Sequence, residues 1–402
     1  MTPSSAVQAS LPPLAFARPA IGEEEVAEVV ATLRGGWLSL GPRTRQFEEE
    51  FARYIGVDEA VAVSSGSAAL HLALLACGIG PGDEVITSTY TFASTALSVL
   101  HVGATPVLVD VEPRSLTIDP RAIAAAITHK TKAIIPVHFA GTACAMDEIL
   151  EIAYRHELLV IEDAAHALPT RYKDRMVGTI GDVTVFSFYA TKTLATGEGG
   201  MLTAKDPEVR RRVRSLSLHG MDADAWQRYS INGNWRYDIT APGFKYNFTD
   251  LQAAIGIHQL RKVDAHAARR EEIALQYRDA LDGLPGLRLP NTTPSSTHSW
   301  HLFVVRFDQE RCPVTRDEAH ASLRADGIGT SVHFIPLHHF TVFRTVRGAF
   351  PVADRAFTEA LSLPIYPGMS DADVARVVGS VRSLWNFGGR PDEMQARGVT
   401  SR

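Results

Sequence analysis

Cysteine is scarce in this chain: three in 402 residues, Cys77, Cys144 and Cys312, spaced far apart. An odd, scattered set excludes a disulfide framework and a thiolate metal cluster, and it points to a reducing, cytoplasmic compartment. No run stays continuously apolar over the roughly 20 residues needed to span a bilayer. Residues 1–13 lack the basic start and apolar core of a secretory signal. Neither sign of charge dominates: 40 Lys and Arg against 45 Asp and Glu give a net charge of -5. With no basic run, nucleic acid and anionic membrane surfaces are not expected partners. Two glycine-rich phosphate loops are also missing. No GxGxxG opens the first unit, and the Gly197–Gly200 turn lacks P-loop spacing. There is no internal repeat, no low-complexity tract and no metal-ligand pattern, so no metal is expected.

What is present reads as an ordinary globular enzyme, 45% hydrophobic and 21% charged. A helix is expected from near Gly22 to the Gly35-Gly36 pair, and another over Thr44–Tyr54. Apolar runs then recur at Ala60–Val63, Glu84–Ile86, Thr105–Val109, Ala133–Val137 and Leu158–Ile161. Helical patterns separate them at Ser67–Ala76, Phe92–His101, Pro120–Ile127 and Met146–Arg155. This alternation predicts an α/β fold with a mainly parallel sheet covered on both faces, whose ligands gather at the carboxyl ends of the strands. Past residue 192 the pattern changes. A long helix is expected over Leu251–Asp279, with a hinge near Lys262. A smaller α+β unit follows: strand His301–Phe307, helix Thr315–Asp326, strand Gly329–Phe334, and helices near Val352–Leu361 and Asp371–Leu384. The expected division is a mobile tail over 1–15, a large domain over 16–261, a small C-terminal domain over 262–388 and a frayed tail over 389–402.

The segment VTVFSFYATKTLATGEGGM, Val183 to Met201, carries the chemistry. An apolar strand exits directly through Lys192. An amine dehydrated there has a lowered pKa and forms a Schiff base with a carbonyl. Asp163 ends another buried strand. A carboxylate about 4 Å from a pyridinium contributes roughly 4 kcal/mol at an effective dielectric of about 20, or about three pKa units, which keeps the ring protonated and electron-poor. Ser64-Ser65-Gly66-Ser67-Ala68-Ala69 is a strand-to-helix turn of small residues whose free N–H groups, with the Ser67 hydroxyl, suit a phosphate. Ser187, five residues before Lys192, offers a further hydroxyl. Phe92 is placed to stack on a ring, and His166 lies three residues beyond Asp163. Taken singly, each has a plain alternative: a solvated lysine, an N-cap aspartate, capping serines, a core phenylalanine, a structural histidine. Together they describe a pyridoxal phosphate site.

The ordered segments GGWLSLGPRTRQFEEEFA, VSSGSAALHLAL, GDEVITSTYTFAST, GATPVLVDV, TKAIIPVHFAG, VIEDAAHA, FSFYATKTLATGEGGM, PGFKYNFTDLQAAIG and GIGTSVHF make the resemblance specific. Over residues 20–385 the chain resembles the DegT/StrS family of pyridoxal-phosphate sugar aminotransferases, which have the type I, aspartate-aminotransferase-like fold. The resemblance implies that Lys192 carries the cofactor, Asp163 pairs with the pyridine nitrogen, His166 sits beside the cofactor and Phe92 stacks on its ring. It implies phosphate contacts from Gly66, Ser67 and Ser187. It further implies that Asn247 reaches the phosphate of a neighbouring subunit, hence a homodimer with shared sites, and that Lys245 and His333 contact a nucleotide sugar. The expected reaction is ping-pong transfer of an amino group from L-glutamate to the 4-keto carbon of a nucleotide-linked sugar. Within the family the segments look most like the branch that aminates UDP-4-keto-L-arabinose, with 4-keto-6-deoxyhexose enzymes close by. Ala190 and Thr193 depart from the Pro and Asn that relatives often carry around the lysine. The stretch His219–Thr240 fits less tightly and is expected to help set the substrate. Two other readings are a sugar 3-dehydratase of the same family, where histidine replaces the lysine, and a non-catalytic cofactor-binding regulator.

Overall fold

The computed structural model describes residues 12–222, 236–291, 296–346 and 348–386. Strands β1 (Ala60–Val63), β2 (Glu84–Ser88), β3 (Thr105–Val109), β4 (Thr131–Ile135), β5 (Leu159–Asp163), β8 (Val183–Ser187) and β9 (Gly200–Ala204) form one seven-stranded sheet. The two-residue strands β6 (Arg171–Tyr172) and β7 (Arg175–Met176) make a separate hairpin. The order is β1-β9-β8-β5-β4-β2-β3. Every pair is parallel except the two that β9 makes, with β1 and β8. The strands are short runs of Val, Ile and Ala that read apolar on both faces, because helices cover both sides.

The helices before and between these strands are α1 (Glu23–Gly35), α2 (Pro42–Ile55), α3 (Gly66–Ala76), α4 (Ser94–His101), α5 (Pro120–Ala126), α6 (Met146–Arg155) and α7 (Pro207–Leu216). Helix α2 shows how sequence spacing becomes packing. Phe47, Phe51 and Ile55 recur every fourth residue, so they share one face. All three are buried, and the two rings meet Phe186, Phe188 and Phe248 at 5.2–5.8 Å. The open N-terminus of α2 is capped from a distance: Asp250 accepts the Thr44 N–H and hydroxyl at 2.9 and 2.8 Å and the Arg43 N–H at 3.1 Å. Asp250 is itself the first residue of α8 (Asp250–Leu281), which Thr249 and Gln252 start with a reciprocal capping box.

Helix α8 runs unbroken for 32 residues, so Lys262 lies inside it. Up to Val263 it packs beneath the large sheet; from Ile273 onward it packs into a second core. That core belongs to a three-stranded antiparallel sheet of β10 (Leu287–Arg288), β11 (Phe303–Phe307) and β12 (Ala360–Leu363), flanked by α9 (Arg316–Ala325), α10 (Pro351–Glu359) and α11 (Asp371–Asn386).

Three expectations change here. The tail over 1–15 is described only from Pro12, and Leu14 is already fixed. It is buried, donates its N–H to Gly327 O at 2.8 Å and accepts from the Gly329 N–H. The strand read over Gly329–Phe334 is a single bridge between Ser331 and Ser362, because β12 has its full ladder with β11 alone. The helix read to Leu361 ends at Glu359; from Ala360 the chain pairs with β11 and sends Leu361 and Leu363 into the second core. The frayed end over 389–402, and residues 223–235 of the expected substrate segment, lie outside the described residues.

Candidate active site

The carboxyl ends of β1, β5 and β8 open into one cavity of about 600 Å³. Its floor and near wall carry Gly66, Ser67, Phe92, Asp163, His166, Ser187 and Lys192; its far wall comes from the second unit through His301, Ser331, His333 and Phe334. Eight positions singled out in the sequence therefore share one space. Lys245 and Asn247 do not line it. Asn247 bridges Val63 at the end of β1 and donates to Phe248 O at 2.9 Å, while Lys245, itself exposed, bridges the buried Leu218.

Lys192 follows β8 in a turn closed by its own N–H to Tyr189 O at 2.8 Å. Burial pushes its amine down to about 8, against the opposing pull of the Asp163 charge. A substantial fraction is then neutral near physiological pH and able to act as a nucleophile.

Asp163 is the last residue of β5 and almost fully buried. Its backbone is held on both sides, with its N–H on Pro136 O at 2.9 Å and its carbonyl accepting from His138 N–H at 3.1 Å. The Thr95 hydroxyl donates to Oδ2 at 2.8 Å and the Ala165 N–H to Oδ1 at 3.1 Å. Burial raises the carboxyl above its ordinary value, opposed by those two donors and by the Lys192 charge. A cationic partner in the cavity relieves that desolvation.

The helix start at the cavity wall is built by glycine. Ser65 is the N-cap of α3, its hydroxyl accepting the Ala68 N–H at 3.0 Å. Gly66 and Ser67 open the helix, where no preceding turn accepts their N–H groups. Gly200 pairs with Ser187 in one ladder and Val63 in the other, and the Ser65-Gly66 backbone crosses directly over it. A Cβ at Gly200 would lie 2.6 Å from Ser65 C and O, and one at Gly66 would lie 2.9 Å from Ser187 Cβ. Gly200→Ala therefore forces the α3 turn off the sheet. Overpacking of this kind costs about 1–3 kcal/mol. The expected outcome is a lower melting temperature together with cofactor affinity weakened by more than about tenfold, read by titrating apoprotein with cofactor.

Phe92 is 61% exposed although it lines the cavity. A bare ring at that mouth suits a planar ligand. Deeper in, the His166 ring lies 5.8 Å from Phe334 in a stacked arrangement and 4.4 Å from His301. Its Nδ1 accepts the Ala140 N–H at 3.2 Å, which leaves the proton on Nε2. Burial holds His166 well below its ordinary value, and holds His333 down to about 4. His333 is fixed by Ser362 Oγ at 2.8 Å and by stacking on Phe16. These groups fit pyridoxal phosphate part by part: helix N–H groups and Ser187 would suit the phosphate, Phe92 and His166 the ring, Asp163 as acceptor its protonated nitrogen and Lys192 its aldehyde.

Sequence reasoning missed Thr95, His301, Phe334 and Phe16. A threonine at a helix start reads as a cap, so Thr95 gave no signal of its own. Phe334 directly follows His333 at the end of the GIGTSVHF run.

A profile of the DegT/DnrJ/EryC1/StrS aminotransferase family matches residues 19–382, and the chain belongs to that family. It is 53% identical over 376 residues to the spore coat polysaccharide biosynthesis protein SpsC of Bacillus subtilis, covering 92% of this chain and 97% of that protein. Among solved structures it is similar to DesV of S. venezuelae, a structure in complex with a ketimine intermediate, at 36% identity and a TM-score of 0.84, covering 95% of this chain and all of that one. It is also similar to the PLP form of the putative sugar aminotransferase Spr1654 of Streptococcus pneumoniae, at 31% identity and a TM-score of 0.87, covering 94% and 100%. The fold is the type I fold of pyridoxal-phosphate enzymes, and the cofactor is pyridoxal phosphate. No described helix is long and apolar enough to cross a membrane.

Proposed function

We propose that this aminotransferase moves an amino group from L-glutamate to the 4-keto carbon of a nucleotide-linked sugar, a UDP-4-keto-pentose or a 4-keto-6-deoxyhexose. The observation that carries the reading is the opening of Lys192 and Asp163 into one cavity with the α3 helix start and the exposed Phe92 ring. Bound there, the cofactor supplies an aldehyde for amines and a ring that accepts an electron pair. The N-terminal turn of α3 and Ser187 hold the phosphate, and Asp163 holds the ring nitrogen protonated. The Lys192 amine, neutral in substantial part near pH 8, takes a proton from the donor's Cα and later returns one to the reacting carbon of the acceptor. The imidazoles of His166 and His333 are neutral; with each Nδ1 engaged by the protein, each ring has its Nε2 left for a sugar hydroxyl, and that of His166 carries the proton and donates.

The enzyme works, on this reading, as a cytoplasmic homodimer. Asn247 and Lys245 lie outside their own subunit's cavity lining, which favours roles in the site of a second copy. Lys192 stands where the sugar 3-dehydratases carry histidine, so transamination is the better match. The test separates the two half-reactions. Loaded protein should lose its yellow band with L-glutamate, and a 4-keto nucleotide sugar from a panel of UDP-, dTDP- and GDP-sugars should restore it. A band that glutamate leaves unchanged, or that no keto sugar restores, would contradict the assignment.

A further inference from the structure

Thr95 is fully buried on the first turn of α4 and is absent from the cavity lining, whereas Thr91 is part of it. Its hydroxyl lies 2.8 Å from Asp163 Oδ2 and 3.1 Å from the hydroxyl of Thr91. An ionised carboxylate accepts only, so Thr95 is the donor to Asp163. The lone pairs of Thr95 are then free to accept from Thr91. The direction of the chain is thereby set: Thr91 to Thr95 to Asp163. Such chains polarise, and each bond strengthens the next.

We propose that the Thr91–Thr95 hydroxyl pair is a positioning device for Asp163, fixing the plane of its carboxylate and keeping it an acceptor toward the cavity. The inference rests on the pyridoxal phosphate reading of the site. With Thr95 on Oδ2 and the Ala165 N–H on Oδ1, both oxygens are pinned, and the remaining lone pairs are held in one orientation. The same turn carries Phe92, two residues before the start of α4, so one short segment aligns the ring's face and, through Asp163, its nitrogen. The other titratable groups around Asp163 are Lys192 from the turn after β8, His138 from the segment after β4 and His166 from the turn after β5. None of them replaces a neutral donor on Oδ2.

The test compares Thr95→Val, which keeps the shape and removes the hydroxyl, with Thr95→Ser, which keeps the hydroxyl, and with Thr91→Val, which removes only the outer member. All are loaded with cofactor labelled with nitrogen-15 in the ring, and ring-nitrogen protonation is followed by NMR against pH. In Thr95→Val Oδ2 is no longer pinned, the carboxylate turns out of line with the ring nitrogen and the pair weakens, so the ring nitrogen should release its proton about one pH unit lower than in wild type. Its kcat should fall about tenfold while KM for L-glutamate stays within about twofold. Thr95→Ser should match wild type, and Thr91→Val should fall between. An unshifted Thr95→Val titration would overturn the inference, as would a serine variant shifted as far as the valine. Should the valine variant fail to fold, Thr91→Val with Thr91→Ser as its control still decides, since Thr91 also lines the cavity: a wild-type titration in Thr91→Val, or a serine variant shifted as far as the valine, contradicts the relay. The cofactor reading fails separately, if wild-type protein takes up no cofactor at all.

Discussion

Lys192→Ala should abolish amination, lowering kcat by at least about 10⁴-fold, because on the proposed mechanism one substitution removes both the nucleophile and the group that moves the proton. Steady-state assays with glutamate and a keto sugar read the loss, and added soluble amine should recover only part of it. Uptake of cofactor by wild-type apoprotein supplies a second arm. The amine is held down to about 8, so the rate of capture should climb with pH through a midpoint near 8 and then level off. The fold responds in the same window. Below about 8 both folded and unfolded chains hold this proton, and the penalty of burying a charged amine is fully present. Between about 8 and the ordinary value of 10.5 the unfolded chain binds more protons, so apoprotein stability rises with pH. The alanine variant should lose that slope. Amination by Lys192→Ala within about tenfold of wild type would end the proposed role.

Asp163→Asn should cost about 10³-fold in kcat. The carboxylate's contribution to ring protonation, roughly 4 kcal/mol and about three pKa units, disappears with its charge. Structure adds a smaller penalty. Asp163 receives a hydroxyl on one oxygen and an N–H on the other, and asparagine offers one oxygen for the two donors. One donor then faces an amide NH₂, which costs about 1–3 kcal/mol where it is left buried and unpaired. The variant should therefore bind cofactor more weakly and melt lower, but stay folded. Glutamate-driven bleaching under single turnover measures the chemical step apart from binding. Near-normal rates there would mean that the ring nitrogen is protonated without Asp163.

The parts of the fold legible in the sequence are those where local pattern and tertiary environment agree. Strands β1 and β3 are short β-branched runs between turn residues, and both fall where the spacing put them. Strand β9 was invisible because it begins at Gly200, inside what reads as a loop, and owes its place to the two strands beside it. Strand β12 was read as the end of a helix, since Ala, Leu and Glu suit helices and only the β11 ladder overrides them. The hinge looked for near Lys262 falls within an unbroken helix, as a change of core along one continuous element leaves no loop signal.

The near wall of the site was legible for a related reason. Asp163 stands out as a charge ending an apolar strand and Lys192 as a charge in the short turn that follows one; both contradict their surroundings, and such conflicts concentrate at function. Of the far wall only His333 was legible. His301 and Phe334 come from more than 100 residues further along, and ordinary aromatic residues in a small α+β unit carry no mark of the cavity they close. Thr95 is the extreme case, being defined only by the oxygen it meets.

Reducing the cofactor-loaded protein with borohydride and mapping its peptides by mass spectrometry tests the bond at Lys192 most directly. The pyridoxyl group should be found on Lys192 in stoichiometric amount. A reduced adduct on another lysine, with Lys192 unmodified, would contradict the site as a whole.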